Sequence, residues 1–443
     1  MTYQAPTGTS DLLPEQASLW RLLQRQAEQV FTLYGYLPIE TPSFEHLDVF
    51  ARGIGVDTDV VGKEMFMVFS SQKIEDLTAG LQLKPKDNLA LRPEQTAGVA
   101  RAVVQHSLVA PGSSAIKLCY AGSMFRHERP QKGRLREFHQ IGVECLGASE
   151  PTSDAELITM LMAVFQEFGI PAAAMRLLLN SMGDDQCRPA YRQQVREFIE
   201  AHADGLCPDC VRRANTNPLR AFDCKNPDCQ AVLAAAPRIT DCLCPQCAEH
   251  YQQVKLLLDE LGCAYQEDPR LVRGLDYYTR TVFEVQVLDG LGSQNAIGGG
   301  GRYDKLLAEF GAASVPGLGF AIGFERVALA LEAAAVATSA LPVPLAYIAA
   351  VDAECRQAAF TLASRLRAAG LAVELDHQAR SLKSQFKAAD KSGAAWVLVL
   401  GPDELACGQA TLRQMVSRVE RRVALDQVVT ALTDDSLEEC RST

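Results

Sequence analysis

Five cations crowd one short turn. Arg126, Arg129, Lys132, Arg134 and Arg136 all fall within "FRHERPQKGRLREFHQIGVE". Guanidinium forks present paired donors that match phosphate oxygens, and at this density they repel one another unless an anion offsets them. Glu128 brings a single negative charge and cannot neutralise the group. The pattern therefore implies a site for a polyphosphate. No GxxxxGK[ST] loop occurs, and "GGGGRYD" and "GLGFAIGF" lack the dinucleotide-fingerprint spacing, so neither a P-loop nor a Rossmann crevice is the cradle.

Two strands must carry that turn, and their side chains alternate between faces. Ile116, Leu118, Tyr120, Gly122, Met124 and Arg126 share one face of the first strand. On the second, Phe138, Gln140, Gly142 and Glu144 share a face, while His139, Ile141, Val143 and Cys145 take the other. Gln140 and Glu144 thus point the same way across a glycine that leaves room above the sheet. A carboxamide and a carboxylate so placed suit the floor of a polar-ligand site. A solvated sheet face is the plainer alternative.

The surrounding elements follow from pattern. A helix is expected from Pro14 to about Tyr34, with Ser10 and Asp11 offering caps and Gly35 the stop. An extended "GYLPIETPSFE" comes next, then a β-rich stretch from about Leu89 to Leu146 with one helix, then a helix from Asp154 to Phe168. Residues 187–251 differ in texture, with Cys207, Cys210, Cys224, Cys229, Cys242, Cys244 and Cys247 among prolines, and read as an insertion. The last hundred residues alternate strand and helix, which implies a separate α/β domain with a parallel or mixed sheet and a final helix. The expected division is a catalytic domain at 1–329, its Cys-rich insertion at about 185–255, a linker at 330–342 and a further domain at 343–443.

Bulk composition fits a globular chain of two or three domains: 443 residues, 48% hydrophobic, 22% charged. The net charge of −11 argues against a general nucleic-acid coat and leaves RNA contact to local basic faces. One such face is Arg380, Lys383, Lys387 and Lys391, spaced 3, 4 and 4 apart along one side of a helix. The start of the chain has no cationic, apolar leader, and "VALALEAAAVATSALPVPLAYIAAV" is broken by Glu332 and two prolines. It reads as a buried helix, a linker and a strand, so a cytoplasmic location is expected. Fourteen cysteines in such a chain are reduced thiols or metal ligands rather than disulfides.

At this level of detail the residues resemble a family. "FRHERPQKGRLREFHQIGVE" is similar to the second signature motif of class II aminoacyl-tRNA synthetases, in the form typical of histidyl-tRNA synthetases. "LVRGLDYYTRTVFE" resembles that family's histidine motif, "GLGFAIGFERV" the third class II motif, and "LPIETPSFE" the first, with its dimer-interface proline. "LRPEQTAG", "GGGGRYDKL", "RSLKSQFKAADKSGA" and "LVLGPDELACG" also match, so the resemblance spans nearly the whole chain.

It implies an α+β fold: an antiparallel six-stranded class II sheet with flanking helices, plus a C-terminal α/β anticodon-binding domain, in a homodimer. It implies that ATP, with Mg²⁺, and L-histidine give histidyl-adenylate and pyrophosphate, after which histidine passes to its tRNA. Carried onto this sequence, Arg126 binds the α-phosphate and the substrate carboxylate, Glu128 lies near the adenine, Arg326 holds the γ-phosphate, and Arg134 adds a phosphate contact. Glu94, Gln95 and Thr96 hold the histidine amino group; the family has glycine where Gln95 stands. Arg273 sits on the α-phosphate as the second catalytic cation beside Arg126. Glu144 and Tyr278 read the two imidazole nitrogens, with Gln140 and Tyr277 beside them.

The basic stripe then becomes a tRNA contact. The turn that in the family reads threonine-glycine-glutamate-glutamine is here "VSRVERRV". The knuckles "CPDC" and "CPQC" suggest one structural zinc on Cys207, Cys210, Cys244 and Cys247, with reduced thiols as the competing reading. A second reading of the whole chain is a catalytically inactive, synthetase-like regulatory subunit of ATP phosphoribosyltransferase. Such subunits lack the C-terminal domain and the arginine of "RGLDYY", both of which are present here.

Overall fold

The computed structural model describes residues 3–434 apart from 56–57, 83, 85–86, 111–112, 273–274, 313, 337–340 and 342. The chain divides into two compact units, Met1–Ala340 and Leu341–Thr443.

The first unit is built on an eight-stranded sheet. Six strands run antiparallel in the order Ile116–Phe125, Glu137–Leu146, Gly317–Gly323, Ala296–Arg302, Thr279–Val287 and Met175–Ser181. The expected six-stranded sheet is thus extended at both edges. Leu37–Pro38 pairs parallel to Ile116–Phe125, and Gln266–Glu267 parallel to Met175–Ser181. Both additions are two residues long, too short for periodicity to reveal; Leu37–Pro38 lies in the segment expected to be extended. Phe44–His46, Leu89–Leu91 and Met67–Val68 form a separate three-stranded sheet.

One face of the large sheet is apolar. Ile141, Val143 and Cys145, with Leu318, Phe320 and Ile322, pack under the helices Pro14–Leu33 and Pro151–Glu167. The first helix buries Leu23, Ala27, Val30 and Phe31, an i, i+4, i+7, i+8 stripe. Ser10 and Asp11 do not cap it. Pro14 opens the helix instead, and the Gln16 side chain accepts from the Leu13 N–H at 3.2 Å. Gly35, at φ +78°, takes the left-handed conformation that ends it.

A buried ion pair ties the sheet to its helix layer. Arg302, with no exposed surface, bonds both oxygens of Asp154 on the Pro151–Glu167 helix and donates to the Ala148 carbonyl at 2.7 Å. His250 Nε2 lies 3.3 Å from the same carboxylate. Burial alone would raise the Asp154 carboxyl, but Arg302 and His250 outweigh it and hold it at about 2.

The second unit carries a mixed five-stranded sheet, in the order Val373–Leu375, Ala346–Ala350, Trp396–Leu400, Gln409–Gln414 and Glu420–Ala424. The first three strands are parallel and the last two antiparallel. The hairpin Gln409–Gln414 to Glu420–Ala424, which contains most of "VSRVERRV", comes before the terminal helical turns at 428–434 and was not anticipated. Helix Leu382–Ser392 presents Lys383, Lys387 and Lys391 to solvent. Arg380 precedes the helix and is held by Asp376 at 2.5 Å. Among the described residues no helix is long and apolar enough to cross a membrane.

Candidate active site

The sheet face opposite the helix layer forms the floor of a cleft. Register explains which side chains reach it. Glu144 pairs with Leu118 and Gly319, Gly142 with Tyr120 and Ala321, and Gln140 with Gly122 and Gly323, so these positions share a face. The cleft is lined by Glu94, Thr96, Tyr120, Arg126, Glu128, Arg134, Gln140, Tyr277, Tyr278, Glu284, Tyr303, Gly319 and Arg326, among others. Nine residues expected from sequence are thereby brought together.

The cations divide by role. Arg126 donates from Nε to the Pro93 carbonyl at 2.9 Å and lies 5.3 Å from the Phe138 ring centroid. Arg134 pairs with Glu128. Burial lowers its pKa, and the Arg126 cation lowers it further against the opposite pull of Glu64. Arg326, in the first turn of the helix Phe324–Ala333, donates to the carbonyls of Gly133 at 3.2 Å and Ala296 at 2.9 Å, and to Gln294 at 3.0 Å. It is thereby stitched to the cation turn. Arg129 and Lys132 are exposed.

Arg136 faces elsewhere. Its guanidinium donates to the Glu128 carbonyl at 3.2 Å and the Thr7 carbonyl at 3.3 Å, and its backbone N–H to Gly8 at 2.7 Å. Gly8 sits at φ +87°, and a side chain there would meet the Arg136 Cγ at 2.7 Å. Arg273 lies outside the described residues.

Beneath the cations the floor is a network of carboxylates and hydroxyls. Glu144 accepts from Thr96 at 2.6 Å, from Tyr120 at 3.2 Å and from Tyr303. Burial pushes its carboxyl up; the Thr96 and Tyr303 hydroxyls pull it back and the Glu94 charge raises it again, leaving it at about 8. Glu94 takes the N–H groups of Thr96 at 2.8 Å and Ala97 at 2.9 Å, capping the helix Thr96–Gln105. Burial raises the Glu94 carboxyl as well, against the pull of those N–H groups. Gln140 lines the cleft, and its Oε1 is buried with no hydrogen-bond partner among the described residues.

Two expected residues do not line the cleft. Gln95 turns its amide to the Thr41 hydroxyl at 2.9 Å. Glu144 lies one layer down, 1% exposed, beneath Tyr120 and Tyr303. The room expected above Gly142 is filled: a Cβ there would stand 2.5 Å from the Tyr120 hydroxyl. Tyr120 and Tyr303 were missed as site residues. Strand alternation already put Tyr120 on the right face, but its partnership with Glu144 depends on register, which one strand's pattern does not give. Glu284, also missed, reaches the floor opposite Gly299.

The Cys-rich segment departs from the pairing its knuckles suggested. Cys207 and Cys210 converge with Cys224 and Cys229, whereas Cys244 and Cys247 converge with Asp184 and Cys187.

Known proteins resemble the chain along nearly its whole length. The family model for histidyl-tRNA synthetase matches residues 8–327, and that for an anticodon binding domain matches 345–435. A curated histidine–tRNA ligase of Anaeromyxobacter dehalogenans is 46% identical over 95% of this chain and 97% of its own. One from Moorella thermoacetica is 43% identical over 97% of each. The apo crystal structure of the Staphylococcus aureus histidyl-tRNA synthetase superposes with a TM-score of 0.79 at 34% identity, covering 97% of this chain and all of that one. Extending over both units, these likenesses show that the chain belongs to the histidyl-tRNA synthetase family.

Proposed function

We propose that the chain is a histidine–tRNA ligase. It joins the histidine carboxylate to the α-phosphorus of ATP as the bond to the β-phosphate breaks and pyrophosphate leaves, then passes the histidyl group to a tRNA(His) hydroxyl with loss of AMP. The observation that carries this reading is the stacking in one cleft of Arg126, Arg134 and Arg326 over a floor of Gln140, Glu144 and tyrosine hydroxyls.

The first step needs no enzymatic base, because the attacking carboxylate is already ionised. Positioning and charge stabilisation supply the rate. Arg126 and Arg273 hold the α-phosphate, and loss of one such positioned donor costs on the order of 10²–10³ in rate. Arg326 and Arg134 hold the outer phosphates, and Glu128 borders the adenine. The hard oxygens of Glu284 suit Mg²⁺, which takes one or two carboxylates beside phosphates and water and, when bound, offsets charge on the departing pyrophosphate.

At the amino-acid end, Glu94 and Thr96, with the backbone of Gln95, bind the α-amino group. Tyr277 and Tyr278 flank the imidazole, the buried Gln140 oxygen, unpartnered among the described residues, accepts a histidine N–H, and Glu144, once ionised, gives the floor its negative charge. A site built on such partners rejects apolar analogues by roughly 10⁴-fold, since its own buried groups would be left unpaired.

The stripe Lys383, Lys387 and Lys391 contacts tRNA phosphates in the anticodon-binding unit. A homodimer is supported by the apolar surface around the first motif, where Leu33, Leu37 and Phe44 are 85%, 63% and 49% exposed. The cytoplasm is the proposed location, and structural zinc in the Cys-rich segment completes the cofactors. Histidine-dependent exchange of labelled pyrophosphate into ATP tests the whole reading: exchange is expected, and none with purified protein, Mg²⁺, ATP and histidine refutes it.

A further inference from the structure

The two cysteine-containing clusters share no residue and have the same construction. In each, a Cys-Pro-x-Cys knuckle opens a helix: Cys207 and Cys244 are the N-cap residues of Pro208–Thr216 and Pro245–Glu260, and Cys210 and Cys247 lie in the first turns. Each knuckle meets a second pair from a distant turn, Cys224 with Cys229 or Asp184 with Cys187. In each set the four donor atoms lie within 4.8 Å of one another. A zinc tetrahedron with Zn–S of ~2.3 Å has sulfur–sulfur edges of roughly 3.8 Å, and Cys207 and Cys224 already stand 3.9 Å apart.

Backbone N–H groups also aim at the sulfurs: Cys207 N at Cys229 Sγ, 3.1 Å, and Cys244 N at Cys187 Sγ, 3.0 Å. Such donors stabilise thiolate ligands rather than neutral thiols. At the second cluster the chain is drawn tight, with Gly183 at φ +59° and so close that a Cβ would meet the Cys187 Cβ at 2.8 Å.

We propose that the segment between Asp184 and Cys247 holds two structural zinc ions, one on Cys207, Cys210, Cys224 and Cys229, the other on Asp184, Cys187, Cys244 and Cys247. Both are closed four-ligand sites with no open position, so their role is in folding rather than in catalysis. The all-sulfur site brackets residues 211–223. Within that span Asn217 donates to Asp276 at 3.3 Å and Arg220 lies 3.9 Å from it. Asp276 sits between Leu275 and Tyr277, both in the cleft lining. The other site joins the exit of the Met175–Ser181 strand to the starts of the helices Arg188–Ala201 and Pro245–Glu260.

The test is metal content of the full chain, purified from zinc-supplemented cells without chelator. Two zinc ions per chain are expected; one or none overturns the two-site assignment. Cys210→Ser and Cys247→Ser should each remove one ion independently, and Cys242→Ser, outside both clusters, should remove neither. Should the serine variants misfold, cobalt loading of the folded Asp184→Cys chain gives a second measure. Its spectrum should change from one all-sulfur and one mixed site to two all-sulfur sites, and an unchanged spectrum removes Asp184 from the ligands. Zinc-free protein with its cysteines paired as disulfides also overturns the proposal.

Discussion

Protonation of Glu144 links burial to substrate choice. With its carboxyl at about 8, the free protein holds mostly the neutral acid at neutral pH, and that proton must leave before Glu144 can set a negative charge beneath the cleft tyrosines. Histidine KM in the exchange assay should therefore fall as pH rises from about 7 to about 8.5. Glu144→Gln should abolish that limb and raise KM about 10- to 100-fold, the scale of a lost charged hydrogen bond. A flat wild-type profile would count against the role. Stability moves the other way. The folded value, about 8, lies above the unfolded ~4.3, so the folded chain keeps this proton longer and unfolding free energy falls as pH climbs between the two. Urea midpoints measured across that window should decline in the wild type and decline less in Glu144→Gln. Gly319→Ala tests the same carboxylate sterically: its Cβ would collide with Glu144 and stand 2.5 Å from the Val143 carbonyl oxygen. Weakened histidine binding with ATP binding retained is the expected outcome, read from the two KM values.

Elements succeed or fail as a group, and the strand Ala296–Arg302 illustrates why. Its "GGGG", already excluded as a dinucleotide loop by its spacing, is a sheet strand squeezed between neighbours, where a Cβ at Gly301 would stand 2.5 Å from the Thr281 carbonyl oxygen. At its end Arg302 enters the buried pair with Asp154. Arg302→Ala leaves a buried carboxylate without its main counter-charge, so a loss of about 3–5 kcal/mol is expected in chemical denaturation. Most long elements were legible from sequence because hydrophobic period and punctuation agreed: the Pro14–Leu33 helix and the two strands around the cation turn stand within two residues of expectation. Features set by contact across the chain were not. Leu37–Pro38 becomes a strand only beside Ile116–Phe125, and Asp184 carries no spacing signature that would mark it as a partner for cysteines.

For the whole molecule, the separate cores of the two units imply separable tasks. A chain ending at Leu341 should keep pyrophosphate exchange within about twofold yet lose tRNA charging by about 10²-fold or more, because the basic stripe and its phosphate contacts go with the deleted part. Parallel exchange and aminoacylation assays on that truncation check it. The Lys383, Lys387 and Lys391 stripe was readable from spacing alone, whereas the hairpin through "VSRVERRV" was not, since its strands are short and one of its faces is open to water. The grip of Arg136 on Thr7 and Gly8 has a practical corollary. Those two residues act as a splint behind the cation turn, although neither lines the cleft. Trimming them, through a downstream start codon or an ill-placed protease site in an expression vector, would leave the Arg136 guanidinium only its bond to the Glu128 carbonyl and should loosen the cation turn, blunting the ligase while sparing every residue that lines the cleft.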